Sequence, residues 1–275
     1  MKKMHNVLAT IKRESAKELN LFFLALSFFT RIPVPKSMHY SPSKLNQANR
    51  YFSLVGLLLA VLQGGIFIIF IQILPLSIAL LLALAAGLIL TGAFHEDGLA
   101  DMADGIGGGL TTEQRLSIMK DSRVGTYGVV TLTSIMALKY LLLFELAQQE
   151  AANPLSFVIT LSLGFALSRA LAASLIFNTP YVSELSGSKS KPLASAQSRQ
   201  ELLILFLVAL LPALFFSFYQ VMTILLLLAL FRVLLRTWLI EKIGGFTGDC
   251  LGATQQISEV IIYIVLLASY TITLY

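Results

Sequence analysis

The residues best suited to chemistry are the aspartates of the stretch FHEDGLADMADGIGGG, residues 94–109. Asp97, Asp101 and Asp104 are four and three residues apart, so on a helix their side chains share one face. Like charges stacked in this way destabilise a helix unless a positive charge lies between them. Mg²⁺ fits such a site, because it binds a few carboxylates together with substrate phosphates and water. The alternatives are that the acidic side chains are merely solvated and that His95, an isolated histidine, is a structural hydrogen-bonding residue.

A second stretch, MKDSRVGTYG at 119–128, combines a carboxylate with a guanidinium group. Asp121 and Arg123 flank Ser122, just before a long apolar segment. An arginine in this position could hold a phosphate through paired hydrogen bonds. The alternative is a helix cap followed by an arginine whose side chain reaches the membrane interface.

A third stretch, GGFTGDCLGA at 244–253, places Thr247 and Asp249 among four glycines. A glycine-rich turn can offer backbone N–H groups to a phosphate, although such turns are also common between helices. Glu259, Arg169 and Lys139 lie within apolar segments, where an ionisable side chain is costly and indicates a functional site or a buried ion pair. Each stretch alone therefore predicts little, and their combination matters more.

The elements that position these stretches are predicted to be membrane-spanning helices. Hydrophobic residues make up 56% of the 275 residues and charged residues only 13%, whereas soluble domains carry about 25% charged residues. We therefore predict an all-α, polytopic integral membrane protein with one domain over residues 1–275. A span needs roughly 20 apolar residues. The predicted spans are 52–74, 76–94, 125–147, 155–177, 202–219, 221–240 and 257–274, with 19–29 as an N-terminal interfacial or re-entrant segment.

The basic residues predict the orientation of these seven spans. Sixteen of the twenty lysines and arginines fall on the segments 1–50, 95–124, 178–201 and 241–256, and the intervening turns contain none. This distribution predicts that all three chemical stretches face the cytoplasm from a bacterial inner membrane. The net charge of +5 is then explained by contact with membrane lipids and needs no nucleic-acid partner. The oligomeric state is left open and includes a homo-oligomer.

Acidic residues, cationic side chains and glycine turns on one side of a membrane favour phosphoryl or nucleotidyl transfer. The transition state of that chemistry is stabilised mainly by positioning and positive charge. A transporter is the alternative from another class. Transporters usually place their polar residues near the bilayer midplane, within two related halves, and no internal repeat is visible in this sequence.

The stretches SFFTRIPVP, FHEDGLADMADG, MKDSRVGTYG and GGFTGDCLGA resemble, in order, the motifs of the cobalamin synthase (adenosylcobinamide-GDP ribazoletransferase) family. The resemblance runs from about Phe28 to Glu259. It implies an Mg²⁺-dependent membrane enzyme that joins α-ribazole, or its 5′-phosphate, to adenosylcobinamide-GDP. The products would be adenosylcobalamin, or its 5′-phosphate, and GMP. The chain departs from the pattern at Tyr127 and Phe246, where some members have His and Gln, so no catalytic role is assigned to these two positions.

The resemblance also implies roles for individual residues. Asp97, Asp101 and Asp104 would bind Mg²⁺, and Asp121 or Asp249 would be the general base, a choice that the sequence leaves open. The predicted substrate-binding residues are Arg31, His95, Ser122, Arg123, Thr247 and Gly248. The acidic motif is also similar to that of the CDP-alcohol phosphotransferases, but their later Gly-x-x-x-Asp-x-x-x-Asp half is absent here.

Overall fold

The protein is helical in the computed structural model, which describes residues 2–150, 153–182 and 195–273. Within these residues the strand-like pairing is limited to one parallel bridge between Tyr181 and Phe246. The all-α prediction is therefore confirmed. The helices are α1 (Lys2–Phe29), α2 (Pro42–Ala48), α3 (Phe52–Phe70), α4 (Leu76–Thr91), α5 (Phe94–Gly108), α6 (Thr112–Ile118), α7 (Thr126–Gln149), α8 (Pro154–Ser174), α9 (Arg199–Ala209), α10 (Phe218–Ile243) and α11 (Gly248–Thr273).

Five helical segments of the described chain are long and apolar enough to span a membrane, which confirms a polytopic membrane protein. They are Pro42–Phe70, Thr126–Gln149, Pro154–Phe177, Phe218–Ile243 and Gly248–Tyr270. The helices α4 and α5 meet the same criterion only as a pair, and the pair is bent by 84°. This count of five or six differs from the seven predicted spans. The difference arises at 76–94, where α4 ends at Thr91, and at 202–219, where α9 ends before Pro212.

Two further segments can be compared with the predictions. The segment 19–29, predicted to be interfacial or re-entrant, is the last part of α1, and its Leu21, Leu24 and Ala25 are buried against other helices. The last span was predicted to begin at 257, whereas α11 begins at Gly248. The glycine-rich stretch 244–253 is therefore a short turn followed by the first residues of a long helix.

Hydrogen bonds between helix ends define the two ends of the bundle. At one end the Tyr270 hydroxyl donates to Glu150 Oε1 (3.1 Å), and Gln220 Nε2 donates to Ser269 Oγ (2.7 Å). These contacts bring the end of α7, the start of α10 and the end of α11 together. We call this level the opposite end of the bundle, because the three chemical stretches lie at the other end.

The other level, which we call the loop end, contains α5, α6 and the turn before α11. Here Arg232 donates to the Ser174 carbonyl (2.8 Å) and to Asn178 Oδ1 (2.7 Å), and the Phe246 amide donates to the Pro180 carbonyl (2.8 Å). The helices α8 and α10 therefore both run from the opposite end to the loop end. Because the chain must return between them, residues 199–217 cross the bundle even though α9 is short.

The helices differ in how deeply they are buried. In α8 and α11, 78% and 72% of the apolar segment is buried, whereas in α10 the share is 17%. The helix α11 packs against α5, α7 and α8, and α3 packs on α8. The centre of the bundle is therefore formed by α8 and α11, and α10 presents most of its surface to lipid.

A left-handed pair of residues bends the chain by 84° between α4 and α5. Gly92 ends α4 with φ 67°, and Ala93 follows with φ 56°. A left-handed glycine is the usual end of a helix, whereas the same conformation is strained at an alanine. The turn directs α5 across the start of α11, where a Cβ at Gly98 would lie 3.0 Å from the Asp249 Cα. Glycine at position 98 thus allows the two helices to approach closely.

Candidate active site

The crossing of α5 and α11 brings three carboxylates together at the loop end. Asp97 and Asp101 lie one turn apart on α5, and Asp249 lies in the first turn of α11. We call these three residues the carboxylate cluster. Asp101 is half-buried. The helix on which it lies, α5, is too short to span the membrane by itself. Burial first, and then the negative charges of Asp249, Asp97 and Asp104, raise the pKa of Asp101 to about 7. Such mutual repulsion is relieved by a bound cation.

Asp104, the third predicted metal ligand, has a different environment. Its two carboxylate oxygens accept hydrogen bonds from the backbone amides of Gly125 (2.6 Å) and Gly128 (2.8 Å), at the start of α7. The side chain is buried, with 7% of its surface exposed. A carboxylate at a helix N-terminus satisfies free N–H groups and interacts favourably with the helix dipole. Asp104 therefore anchors α7 to α5.

Asp121 and Arg123 form an ion pair on the loop between α6 and α7. Arg123 Nε donates to both oxygens of Asp121 (3.0 and 3.1 Å), and the Arg123 backbone amide also donates to Oδ1 (3.1 Å). These hydrogen bonds lower the pKa of Asp121 to about 2. The Arg123 side chain is 87% exposed, so it can bind a ligand from solvent. Ser122 between them is also exposed.

The turn before α11 is held firmly around Thr247. The Thr247 hydroxyl accepts a hydrogen bond from the Cys250 amide (3.4 Å), as an N-cap does, and donates to Asp249 Oδ2 (3.3 Å). Gly248 is exposed, and a Cβ at this position would have no heavy atom within 4 Å. The backbone at the start of α11 is thus open on the side where a phosphate would approach.

Arg31 and His95, both predicted to bind substrate, lie outside the carboxylate cluster. The exposed Arg31 packs against Gly92 at the bend between α4 and α5, and its amide donates to the Leu90 carbonyl (2.8 Å). The His95 ring is 3% exposed and stacks on Phe29, with the ring centroids 5.5 Å apart. The structure therefore brings Asp97, Asp101 and Asp249 together but directs His95 to the interior.

Two charged residues near the site were not predicted. Lys120 lies close enough to Asp249 to act on it electrostatically. Glu96 is buried and accepts a hydrogen bond from Gln256 Nε2 (2.7 Å). Lys120 could have been identified from the sequence, because it lies in the same stretch as Asp121 and Arg123. Glu96 could not have been identified in this way, because only the packing of α5 distinguishes it from Asp97.

The carboxylate cluster suits a metal ion shared with a substrate better than one held by protein alone. Among residues 2–150, 153–182 and 195–273, no group of three or more His, Cys, Asp or Glu side chains is close enough to enclose an ion. Mg²⁺ commonly takes only one or two carboxylates and completes its coordination with phosphate oxygens and water. The open cluster, with its raised Asp101 pKa, fits that mode of binding.

Comparison with known proteins gives a consistent result over almost the whole chain. Residues 21–267 match the family described as cobalamin-5-phosphate synthase. The adenosylcobinamide-GDP ribazoletransferase of Vibrio cholerae serotype O1 is 52% identical over 91% of this chain and 94% of its own length. The proteins of the same name from Vibrio parahaemolyticus and Shewanella frigidimarina are 51% and 50% identical, over 92% of this chain and 94% and 95% of their own lengths. No solved structure matches the chain.

Proposed function

Because the chain belongs to the cobalamin-5-phosphate synthase family, we propose that it is an adenosylcobinamide-GDP ribazoletransferase of the membrane. It transfers the corrinoid phosphate of adenosylcobinamide-GDP to α-ribazole or its 5′-phosphate. The products are adenosylcobalamin, or its 5′-phosphate, and GMP. Identity of about one half over more than nine tenths of the chain supports the assignment.

The observation that carries the chemistry is the carboxylate cluster with cationic side chains beside it. Asp97, Asp101 and Asp249 provide negative charge for a metal ion, while Arg123 and Lys120 lie on the neighbouring α6–α7 loop. A pyrophosphate substrate needs both, because a metal ion and cationic side chains together stabilise the charge that develops during phosphoryl transfer.

Asp97 and Asp101 would hold Mg²⁺, and Asp249 lies near enough to add its negative charge. When bound, Mg²⁺ would supply positive charge to the pyrophosphate and to the departing phosphate. Asp104 contributes indirectly, because its bonds to Gly125 and Gly128 fix α7 and the preceding loop relative to α5.

The reaction forms one P–O bond and breaks another. The 3′-hydroxyl of the ribazole attacks the phosphorus on the corrinoid side, the pyrophosphate bond breaks, and GMP leaves. The hydroxyl proton passes to a carboxylate. Asp121 is a poor acceptor, because its pairing with Arg123 holds its pKa near 2. We therefore assign the role of general base to Asp249 and that of orienting Arg123 to Asp121.

The exposed Arg123 and the start of α11 would bind the phosphates of the substrate. Arg123 can donate two parallel hydrogen bonds to phosphate oxygens, and the amides around Gly248 lie at the positive end of the α11 dipole. Thr247 keeps this turn in place by capping the helix. Arg31 would act on α5 through its packing at Gly92.

The loop end would face the cytoplasm across a bacterial inner membrane. The predicted inner segments carry sixteen of the twenty basic residues, which supports this orientation. The nucleotide-linked substrate is charged and would therefore reach the site from the cytoplasm.

The test is a turnover assay on the purified protein in liposomes. With adenosylcobinamide-GDP, α-ribazole and Mg²⁺ the protein should release GMP and form an equal amount of adenosylcobalamin. Omission of α-ribazole should abolish GMP release. Turnover of a CDP-linked alcohol donor with release of CMP, and none with the corrinoid, would instead identify a CDP-alcohol phosphotransferase.

A further inference from the structure

A network of buried charged side chains packs against the buried side of α5, away from the carboxylate cluster. Glu259 on α11 pairs with Lys139 of α7 and with Arg169 of α8 (3.5 Å). Lys139 Nζ also donates to Gln256 Oε1 (3.2 Å), and Gln256 Nε2 donates to Glu96 Oε1 (2.7 Å). The network thus connects α5 to three helices of the bundle.

The network borders a small cavity with a volume of about 30 Å³. Among its lining residues are Gln63, His95, Glu96 and Arg169, each at least nine-tenths buried. Each of these four has one polar atom without a hydrogen-bond partner in the described part of the chain: Gln63 Nε2, His95 Nδ1, Glu96 Oε2 and Arg169 Nε. Buried polar atoms are normally satisfied, because leaving one without a partner is costly.

The chemistry of the unsatisfied atoms selects the occupant. Gln63 Nε2 and Arg169 Nε can only donate hydrogen bonds, whereas a carboxylate oxygen such as Glu96 Oε2 can accept them and His95 Nδ1 can do either. An anion would serve the two donors but not the carboxylate, and a cation would serve the carboxylate alone. Water both donates and accepts, and the volume suits one or two water molecules.

We propose that this cavity is a built-in water site, and that its water bridges Glu96 to Arg169 and Gln63. The bridge completes the network that connects α5 with α3 and α8. Glu96 directly precedes Asp97, and the two side chains point about 100° apart around α5, the first buried and the second exposed. By fixing the rotation of α5, the hydrated network positions Asp97 and Asp101 opposite Asp249.

The existence of the water site does not depend on the proposed function, whereas its effect on turnover does. A crystal structure in which ordered water is visible provides the direct test. It should contain one or two peaks within hydrogen-bonding distance of both Glu96 Oε2 and Arg169 Nε. An empty cavity would overturn the proposal. A peak that gives an anomalous signal after soaking in bromide or rubidium would also overturn it, in favour of an ion.

The positioning role is tested by Arg169→Lys, with Arg232→Lys as the matched control. Lysine keeps the charge opposite Glu259 but has no Nε–H to bind the water. Arg232 lies outside the network and donates hydrogen bonds to Ser174 and Asn178. In Arg169→Lys, backbone amides of α5 should exchange with deuterium about tenfold faster, as expected for the loss of one buried hydrogen bond. The control should show unchanged exchange in α5.

The kinetic readout separates positioning from general damage to the fold. In Arg169→Lys the kcat should fall between about tenfold and a hundredfold, because a misplacement of about 1 Å can cost about a hundredfold, while the KM for adenosylcobinamide-GDP stays within about twofold. Unchanged exchange in α5 together with unchanged kcat would overturn the positioning role. If the variant does not fold, the water peaks in the unmodified protein still decide the existence of the site. If neither the variant nor the wild-type protein shows turnover, the exchange measurement still tests the positioning role, because it needs no substrate.

Discussion

Two aspartates at the loop end have opposite environments, and this difference divides their roles. Asp121 is paired with Arg123, which stabilises its charged form. Asp249 lies beside Asp97 and Asp101, and a bound metal ion would relieve the repulsion among these carboxylates. Asp121 therefore suits the role of holding the Arg123 side chain in place, and Asp249 suits the transfer of a proton.

The role of Arg123 as a phosphate ligand is tested by Arg123→Lys. Lysine keeps the charge but loses the planar pair of donors. We expect the KM for adenosylcobinamide-GDP to rise about tenfold, equivalent to one charge-assisted hydrogen bond, with kcat changed little. Arg199→Lys, at an exposed arginine in the first turn of α9, is the matched control and should leave both constants unchanged. An unchanged KM in Arg123→Lys would make Arg123 an interfacial residue only.

The pH profile of turnover should show no inflection caused by protonation of Asp121. A pKa depressed in the folded state stabilises the fold above the unfolded value of 3.8, and this contribution is lost as the pH falls through about 2. Between pH 5 and pH 9 the ion pair is therefore intact. In Asp121→Asn the acid limb of kcat/KM, measured over that range, should keep its midpoint. A shifted midpoint would show that Asp121 itself is the titrating base.

The limits of prediction at this scale are illustrated by Asp104. Helical spacing correctly placed Asp97 and Asp101 on one face, since residues four apart are neighbours on a helix. The same spacing could not show that the start of α7 would lie against Asp104, because that contact depends on tertiary packing. The resemblance implied a catalytic role for Asp249, but its position beside α5 also depends on tertiary packing.

Among the elements, α5 is positioned mainly by contacts with α7 and α11. Asp104 holds the first amides of α7, which has no side-chain cap of its own. This arrangement requires glycine at the start of α7, because a Cβ at Gly125 would lie 2.5 Å from Asp104 Oδ1. The glycine spacing of MKDSRVGTYG is thus explained by packing rather than by direct contact with a ligand.

Gly125→Ala should therefore weaken the junction between α5 and α7. The displaced Asp104 would lose its hydrogen bonds to backbone amides, at a cost of about 1–3 kcal/mol. We expect a lower midpoint of thermal unfolding in detergent and reduced turnover. Gly108→Ala is the control, because its new methyl group would make only an ordinary contact with Ile118, at 3.6 Å. Equal midpoints for the two variants would contradict the anchoring role of Asp104.

Element boundaries were predicted less well than element types. Uncharged runs located the long apolar helices because a span must exclude charge. The early end of α4 was missed, since it depends on left-handed backbone at Gly92 and Ala93. The early start of α11 was also missed, because its first turns are rich in small and polar residues and lie at the loop end.

For the whole molecule, the main topological question is whether residues 199–217 cross the membrane. Contacts of α8 and α10 place the starts of both helices at the opposite end and require this crossing. Reporter fusions after Leu110 and Ser198 should therefore show a cytoplasmic location, and fusions after Glu150 and Phe216 should show the outside. A cytoplasmic signal after Phe216 would rule out the crossing by α9 and the short helical turn after it.

The proposed active site of the transferase is the carboxylate cluster, with Mg²⁺ as its metal ion. Its most direct test is GMP release by Asp101→Asn, titrated with Mg²⁺ and compared with Glu113→Gln, an exposed acidic residue of α6. Removal of one charge at a metal site should lower kcat by about a hundredfold or more, because metal stabilisation is worth several kcal/mol. Asp101→Asn should show that loss with wild-type protein yield in the membrane, and Glu113→Gln should keep full activity. Near-normal turnover by Asp101→Asn at limiting Mg²⁺ would mean that the carboxylate cluster does not bind the metal ion used in the reaction.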